Sequence, residues 1–214
     1  MLMELARKKV VDFCKKMLWT GLTAGTFGNI SIREDDLVAI TPSGVDYEKM
    51  DKKDVVVVNL DDGKVVEGDL KPSSELKMHL AIYKKRSDLN AIVHTHSPYA
   101  SAFAVLGQEI PVVLAETGSV VGGQVPVTPY CRPGSESLGL EAVKGLKERT
   151  GVLLKNHGVV AVGSDIEKAF MTAQIIEESA RIYQLAAAMG KPQTLPQKEI
   201  KILREQFIQG YGQK

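Results

Sequence analysis

The sequence predicts a layered α/β domain. Three observations carry that expectation. Amphipathic helical patterns alternate with short β-branched runs, the helical segments flank a central run of strands, and no linker, repeat or low-complexity tract divides the 214 residues. Each strand run and each helical stripe must bury an apolar face against another element, which a layered arrangement achieves. A chain of 214 residues can build one core without disulfides, and one domain over residues 1–214 is expected.

The elements follow in order. Residues 2–19 place Leu2, Leu5, Ala6, Val10, Phe13, Cys14, Met17 and Leu18 at helical spacing. This predicts an amphipathic helix with Cys14 on its packed stripe and Gly21 as its stop. Asn29–Arg33 and Leu37–Thr41 alternate as strands about the turn Glu34-Asp35-Asp36, and Val55–Leu60 reads as a buried strand. Asp61-Asp62-Gly63-Lys64 is a hairpin signal. Residues 74–86 read as a helix with Leu76, Leu80, Ile82 and Tyr83 on its apolar side, and Ala91–Thr95 as a short strand. Pro98–Leu106 and Ser137–Glu148 read as helices, and Gly151–Lys155 and Val159–Val162 as strands. Ser164 and Glu167 have capping-box spacing at the start of a long helix, 165–189, which Gly190 and Pro192 end. A last helix covers about 197–209.

Charge and composition exclude several function classes. Lys+Arg is 27 against 26 Asp+Glu, a net charge of +1, which lacks the basic excess of a nucleic-acid binder or a polybasic membrane anchor. The longest wholly apolar run is four or five residues, short of the roughly 20 that span a bilayer. The start, Met1 to Val10, has no signal-peptide pattern. Two cysteines, Cys14 and Cys131, are too few for a disulfide framework and are expected to be reduced thiols. A cytoplasmic protein is expected, without nucleic-acid or membrane partners.

Of four histidines, two form His94-Thr95-His96 at the end of a strand. Side chains at i and i+2 of an extended chain share a face, so the two rings can reach one metal ion. His157, between two short strands, offers a third imidazole, and three imidazoles with one open position describe a catalytic divalent-metal site. His-x-His alone also occurs on ordinary surface strands. His79 lies within the 74–86 helix and reads as a hydrogen-bonded or half-exposed helix histidine.

Three small-residue clusters, Gly25-Thr26-Phe27-Gly28-Asn29, Thr41-Pro42-Ser43-Gly44 and Pro72-Ser73-Ser74-Glu75, could each cradle an anion with backbone N–H groups and hydroxyls. Each is equally a plain turn or cap, Ser73 or Ser74 being an ordinary N-cap. Only their convergence would make a site. Glu75, in the first turn, either answers the helix dipole or carries a proton beside a metal.

Taken together and in this order, these pieces resemble the class II aldolase/adducin family across about residues 4–211. The resemblance implies a three-layer α/β/α sandwich around a mainly antiparallel sheet, assembled as a fourfold homotetramer with active sites between neighbouring subunits. It implies one zinc ion per subunit on His94, His96 and His157, a position that Mn2+, Co2+ or Fe2+ can also fill. It implies phosphate binding by Asn29, Ser43, Gly44, Ser73 and Ser74, with Gly28 adjoining, and an acid/base role for Glu75. The implied reaction is reversible cleavage of a ketose 1-phosphate, of the L-fuculose or 5-deoxypentulose type, into dihydroxyacetone phosphate and an aldehyde.

One position departs from the family pattern. Ala115 stands where the fuculose-cleaving branch has a tyrosine that acts at the aldehyde end from a neighbouring subunit. Glu116 could serve instead, or the aldehyde half is smaller and less polar. Tyr130 and Tyr211 are the other candidate hydroxyls.

Three other readings are implied by relatives. A pentulose-5-phosphate 4-epimerase would need a further histidine, and none follows His157. A methylthioribulose-1-phosphate dehydratase could use Glu116 as base. An adducin-like interaction module would lack the three histidines.

Overall fold

The computed structural model describes residues 1–210, so the candidate Tyr211 lies outside the described residues. The elements are α1 (Glu4–Trp19), β1 (Asn29–Glu34), β2 (Leu37–Ile40), β3 (Val56–Asn59), β4 (Val65–Glu67), α2 (Leu76–Lys85), β5 (Ala91–Thr95), α3 (Pro98–Leu106), a π-helical turn (Thr117–Val121), α4 (Glu136–Leu146), β6 (Gly151–Leu154), β7 (Gly158–Gly163), α5 (Ile166–Met189) and α6 (Gln197–Gly210). The strands form one sheet in the order β4-β3-β2-β1-β5-β7-β6, with every neighbouring pair antiparallel.

Alternation along the strands divides the core in two. Ile30, Ala39, Val57, Val93 and Ala161 face Val10, Cys14 and Met17 of α1, Phe103 of α3 and Phe170 of α5. Val38, Ile40, Val56, Ile92, Val160 and Val162 face Met78 and Ile82 of α2 and Leu138 and Ala142 of α4. Helices thus cover both faces, and the expected three-layer α/β/α sandwich with an antiparallel sheet is the fold observed. Each buried Val, Leu or Ile contributes roughly 1.5–3 kcal/mol. Among the described residues both cysteines are free, and no helix is long and apolar enough to cross a membrane.

Local chemistry corrects the sequence expectations at the starts of α2 and α5. The 164–167 capping box does not form: Asp165 is the N-cap of α5, and its carboxylate accepts the Lys168 N–H at 2.8 Å. Ser164 Oγ is instead held by Lys168 Nζ at 2.8 Å. Neither Ser73 nor Ser74 caps α2, whose N-cap is Glu75; Ser73 Oγ accepts the Glu75 N–H at 3.2 Å. The hairpin after Asp61 returns as the short, exposed edge strand β4. The π-helical turn at 117–121 had no periodic signal.

The antiparallel pairing β1–β5–β7 brings Asn29, His94 and Val160 into one cross-strand row. Directly after His96 the chain turns into α3, whose first N–H groups have no helical partner. The Glu177 carboxylate of α5 accepts two of them, from Tyr99 and Ala100, each at 2.9 Å. Glu177→Ala is expected to lower stability by about 1.5–3 kcal/mol, the range for hydrogen bonds to a charged group. Urea unfolding reads this as a lower midpoint at unchanged slope, and an unshifted midpoint would remove Glu177 from this role.

Candidate active site

The three histidines expected to share a metal do converge. His94 is fully buried on β5, His96 follows the strand, and His157 occupies the tight turn between β6 and β7. The ring centroids lie 4.8–4.9 Å apart, and the potential ligand atoms all lie within 4.8 Å of one another. His94 Nδ1–H donates to the Val159 carbonyl at 2.8 Å. That bond fixes the tautomer and leaves the Nε2 lone pair for a cation. His94 Nε2 and His96 Nε2 approach to 3.0 Å, near the separation of about 3.3 Å that two metal–nitrogen bonds of roughly 2.05 Å span at a tetrahedral angle. The donor set and its spacing fit a divalent metal ion.

Two glycines permit this approach. Gly28 has φ +73°, and a Cβ there would lie 2.6 Å from the His94 carbonyl oxygen. A Cβ on Gly158 would lie 2.3 Å from the Thr95 carbonyl oxygen and against both the His94 and His96 rings.

Glu75 sits among the histidines. Its Oε2 is 2.9 Å from His94 Nε2 and its Oε1 3.4 Å from His157 Nε2, while Asn29 Nδ2 donates to Oε2 at 3.0 Å. Burial alone would raise its pKa, but His94, His157 and the Asn29 donor outweigh burial and hold the carboxyl well below the usual range. Burial likewise disfavours a charged His94, yet the adjacent carboxylate and the Val159 carbonyl raise it. Burial, reinforced by the His94 charge, pushes His96 down to about 3 and His157 to about 4. Both are neutral at pH 7, the form that ligates metal. Glu75 is the N-cap of α2, but its carboxylate makes no capping hydrogen bond. Its carboxylate turns to the imidazoles instead.

The three small-residue loops meet at the same place. One cavity of about 320 Å³ is lined by Gly28, Asn29, Ser43, Gly44, Ser73, Ser74, Glu75, His96 and His157. The second and third loops are clipped together by an antiparallel bridge, Pro42 to Pro72, with Ser43 N–H donating to the Lys71 carbonyl and Ser73 N–H to the Thr41 carbonyl, each at 2.9 Å. Among the described residues lining this cavity none is Lys or Arg.

Glu116 is not brought to this cavity. With Ala115 it lines a separate one beside Met171, Leu203 and Phe207. Tyr130 is exposed and does not line the histidine cavity either. Three contributors were missed in the sequence. Phe27 stacks on His96 at 5.6 Å and 21° while itself 64% exposed. Tyr47 O–H donates to the Gly28 carbonyl at 2.6 Å, and Pro133 closes one wall. Phe27 stood inside a singled-out motif, but nothing local marked Tyr47 or Pro133.

The profile of the Class II Aldolase and Adducin N-terminal domain matches residues 8–184. The chain is 47% identical over 215 residues to a 5-deoxy-D-ribulose 1-phosphate aldolase of Bacillus thuringiensis serovar kurstaki, covering 100% of both. It is 36% identical over 205 residues to an L-fuculose phosphate aldolase of Escherichia coli strain K12, covering 95% of this chain and 94% of that one. Among solved structures, an L-fuculose 1-phosphate aldolase superposes with a TM-score of 0.92 at 38% identity, covering 95% and 96% of the two chains.

Gly158→Ala tests the close packing around the rings. The new methyl collides with backbone, so β5 and β7 must separate beside all three histidines. Expected are a destabilisation of about 1–3 kcal/mol and weaker divalent-metal binding by titration calorimetry. Metal affinity equal to the parent's would show that the turn tolerates a side chain.

Proposed function

The chain belongs to the class II aldolase and adducin family, and we propose that it cleaves a ketose 1-phosphate into dihydroxyacetone phosphate and an aldehyde with the help of a divalent metal. It is a class II aldolase acting on a phosphorylated sugar. A 5-deoxyribulose 1-phosphate type of substrate is the first choice. Two observations support it: the 47% identical relative carries that activity in its name, and Ala115 offers no hydroxyl for a polar aldehyde half. The observation that carries the reading is the meeting of three imidazoles, one buried carboxylate and three donor loops in one cavity.

His94, His96 and His157 would hold the metal, zinc first, with Mn2+, Co2+ or Fe2+ as alternatives. When bound, the ion supplies a Lewis acid that withdraws the negative charge developing on the substrate's oxygens as the carbon–carbon bond breaks. The chain's own residues do the rest. Ser43, Ser73, Ser74 and Asn29, with the backbone at Gly28 and Gly44, would fix the phosphate and so orient the reacting carbons. Cleavage removes a proton from the C4 hydroxyl and delivers one to C3. Glu75 Oε2 accepts from the Asn29 amide, whereas the buried Oε1 has no hydrogen-bond partner, so Oε1 is the oxygen for the C3 proton. Glu116 enters only as a residue reaching a neighbouring subunit's site, in the homotetramer that the resemblance implies, and Tyr211 stays a candidate hydroxyl by resemblance alone.

The experiment is direct. The metal-loaded protein is given 5-deoxyribulose 1-phosphate or fuculose 1-phosphate, and dihydroxyacetone phosphate is read with a coupled reductase. Release from at least one is expected. Silence with every ketose 1-phosphate at full metal occupancy rejects the reading, and NMR of the products separates cleavage from epimerisation or dehydration. Chelation should abolish turnover and a divalent ion restore it. His96→Ala should lose both metal and turnover while remaining folded by circular dichroism; full turnover in that variant would refute the ligand assignment. Glu75→Gln should retain metal while kcat drops by roughly 10²–10⁴-fold, the usual contribution of a positioned acid or base. An unchanged kcat would strip Glu75 of the proton role.

A further inference from the structure

One buried group is not used by this mechanism. His79 is fully buried on α2, inside a continuous polar seam between that helix and β1. Glu75, His79 and Tyr83 recur at i, i+4 and i+8, one stripe of a helix. Asn29 and Ser31 lie at i and i+2, one face of the facing strand. The two sets interlock. Tyr83 O–H donates to the Ser31 carbonyl at 3.0 Å, and the Tyr83 and Ser31 hydroxyls are 2.8 Å apart. Ser31 Oγ is 2.7 Å from His79 Nδ1, His79 Nε2 is 2.5 Å from Asn29 Oδ1, and Asn29 Nδ2 donates to Glu75 Oε2 at 3.0 Å.

The seam has one self-consistent polarity. Burial, with the His94 charge adding to it, depresses His79 to about 3, so its ring is neutral and carries a single proton. If that proton is on Nε2, it donates to the Asn29 carbonyl, Nδ1 accepts from the Ser31 hydroxyl, and the Asn29 amide N–H is aimed at the carboxylate. The opposite tautomer needs an acceptor at Nδ1 and a donor facing Nε2. Asn29 would then turn its carbonyl oxygen onto Glu75 Oε2, setting two acceptors face to face at 3.0 Å in a buried site.

We propose that His79 is a positioning residue: its Nε2–H locks the Asn29 amide so that the amide N–H holds Glu75 Oε2, leaving Oε1 as the proton-carrying oxygen. A helix histidine thereby acts on the reaction through one intervening side chain. Only one of the two Asn29 amide protons is committed to Glu75, so the other remains for a ligand in the cavity. The catalytic half of the inference rests on the aldolase reading; the tautomer does not.

Two measurements test it. The first is imidazole 15N NMR of the zinc-loaded protein, with the His79 signals assigned by their loss in His79→Gln. A neutral Nε2–H tautomer is expected, and a neutral Nδ1–H tautomer or a protonated ring overturns the proposal. The second compares His79→Leu with His79→Gln, whose amide N–H can replace the Nε2 donor. His79→Leu should lower kcat by roughly 10–100-fold, the usual effect of removing an outer hydrogen-bond partner of a metal site. His79→Gln should recover most of that loss. A parental kcat in His79→Leu, or a His79→Gln no better than leucine, overturns the positioning role. A parent protein inactive on every ketose 1-phosphate would reject the aldolase reading alone, because the tautomer still decides the seam. Should His79→Leu not fold, Ser31→Ala takes its place. It removes the Nδ1 partner and is expected to lower kcat less; an unchanged kcat in Ser31→Ala overturns the proposal.

Discussion

The cross-strand row Asn29, His94, Val160 decides where chemistry can occur in this molecule. Antiparallel pairing sets that register, and side chains two residues apart then share a face. His94 is anchored twice, by its strand on both sides and by the bond from its Nδ1 to the Val159 carbonyl. Its Nε2 therefore points to one place, and the other two rings are brought to it. His96 arrives because it lies two residues after His94, directly beyond the end of β5. His157 arrives because the β6–β7 turn contains Gly158, where a side chain would strike the Thr95 backbone. A slip of one residue in the β1–β5 pairing would turn His94 to the opposite face and separate the set.

The site is made of buried polar groups, and buried polar groups are tolerated only when they are paired. Glu75, Asn29, His79, Ser31 and Tyr83 are all buried, and each finds a partner within the seam between α2 and β1. The unpaired atoms are informative in turn. Glu75 Oε1 and His157 Nδ1 are buried without a hydrogen-bond partner, and both belong to the cavity group. On the anion side the cavity offers hydroxyls and amides rather than cations. Such donors fix a phosphate by geometry more than by charge, which suits a site whose task is to aim a carbon–carbon bond.

Much of this was legible in the sequence, because it rests on local patterns. Helical stripes such as Val10, Cys14 and Met17 and alternations such as Asn29–Arg33 depend only on period, and the structure follows them to within a residue or two. The histidine set and the three loops were legible as a combination, although each part alone was ordinary. What escaped depends on contacts between distant segments. Asp165 outcompetes Ser164 as a cap although both precede the same helix. The π-helical turn is held by burial: Gly118 lies against Ile200 of α6. His79 and Tyr83 looked like a helix histidine and an apolar-stripe tyrosine. Their role emerges only once β1 brings Asn29 and Ser31 opposite them. Glu116 was the stand-in for the tyrosine that Ala115 replaces, yet within one chain it faces a different cavity.

The central claim is that three imidazole nitrogens bind one metal ion next to a carboxylate. X-ray absorption spectroscopy of the zinc-loaded protein tests it most directly. The account predicts a first shell of light scatterers only, with three histidine nitrogens at about 2.0–2.1 Å, the outer-ring scattering pattern of imidazole, and oxygen completing the shell. A shell containing sulfur, or one built of oxygen alone without imidazole scattering, would contradict it.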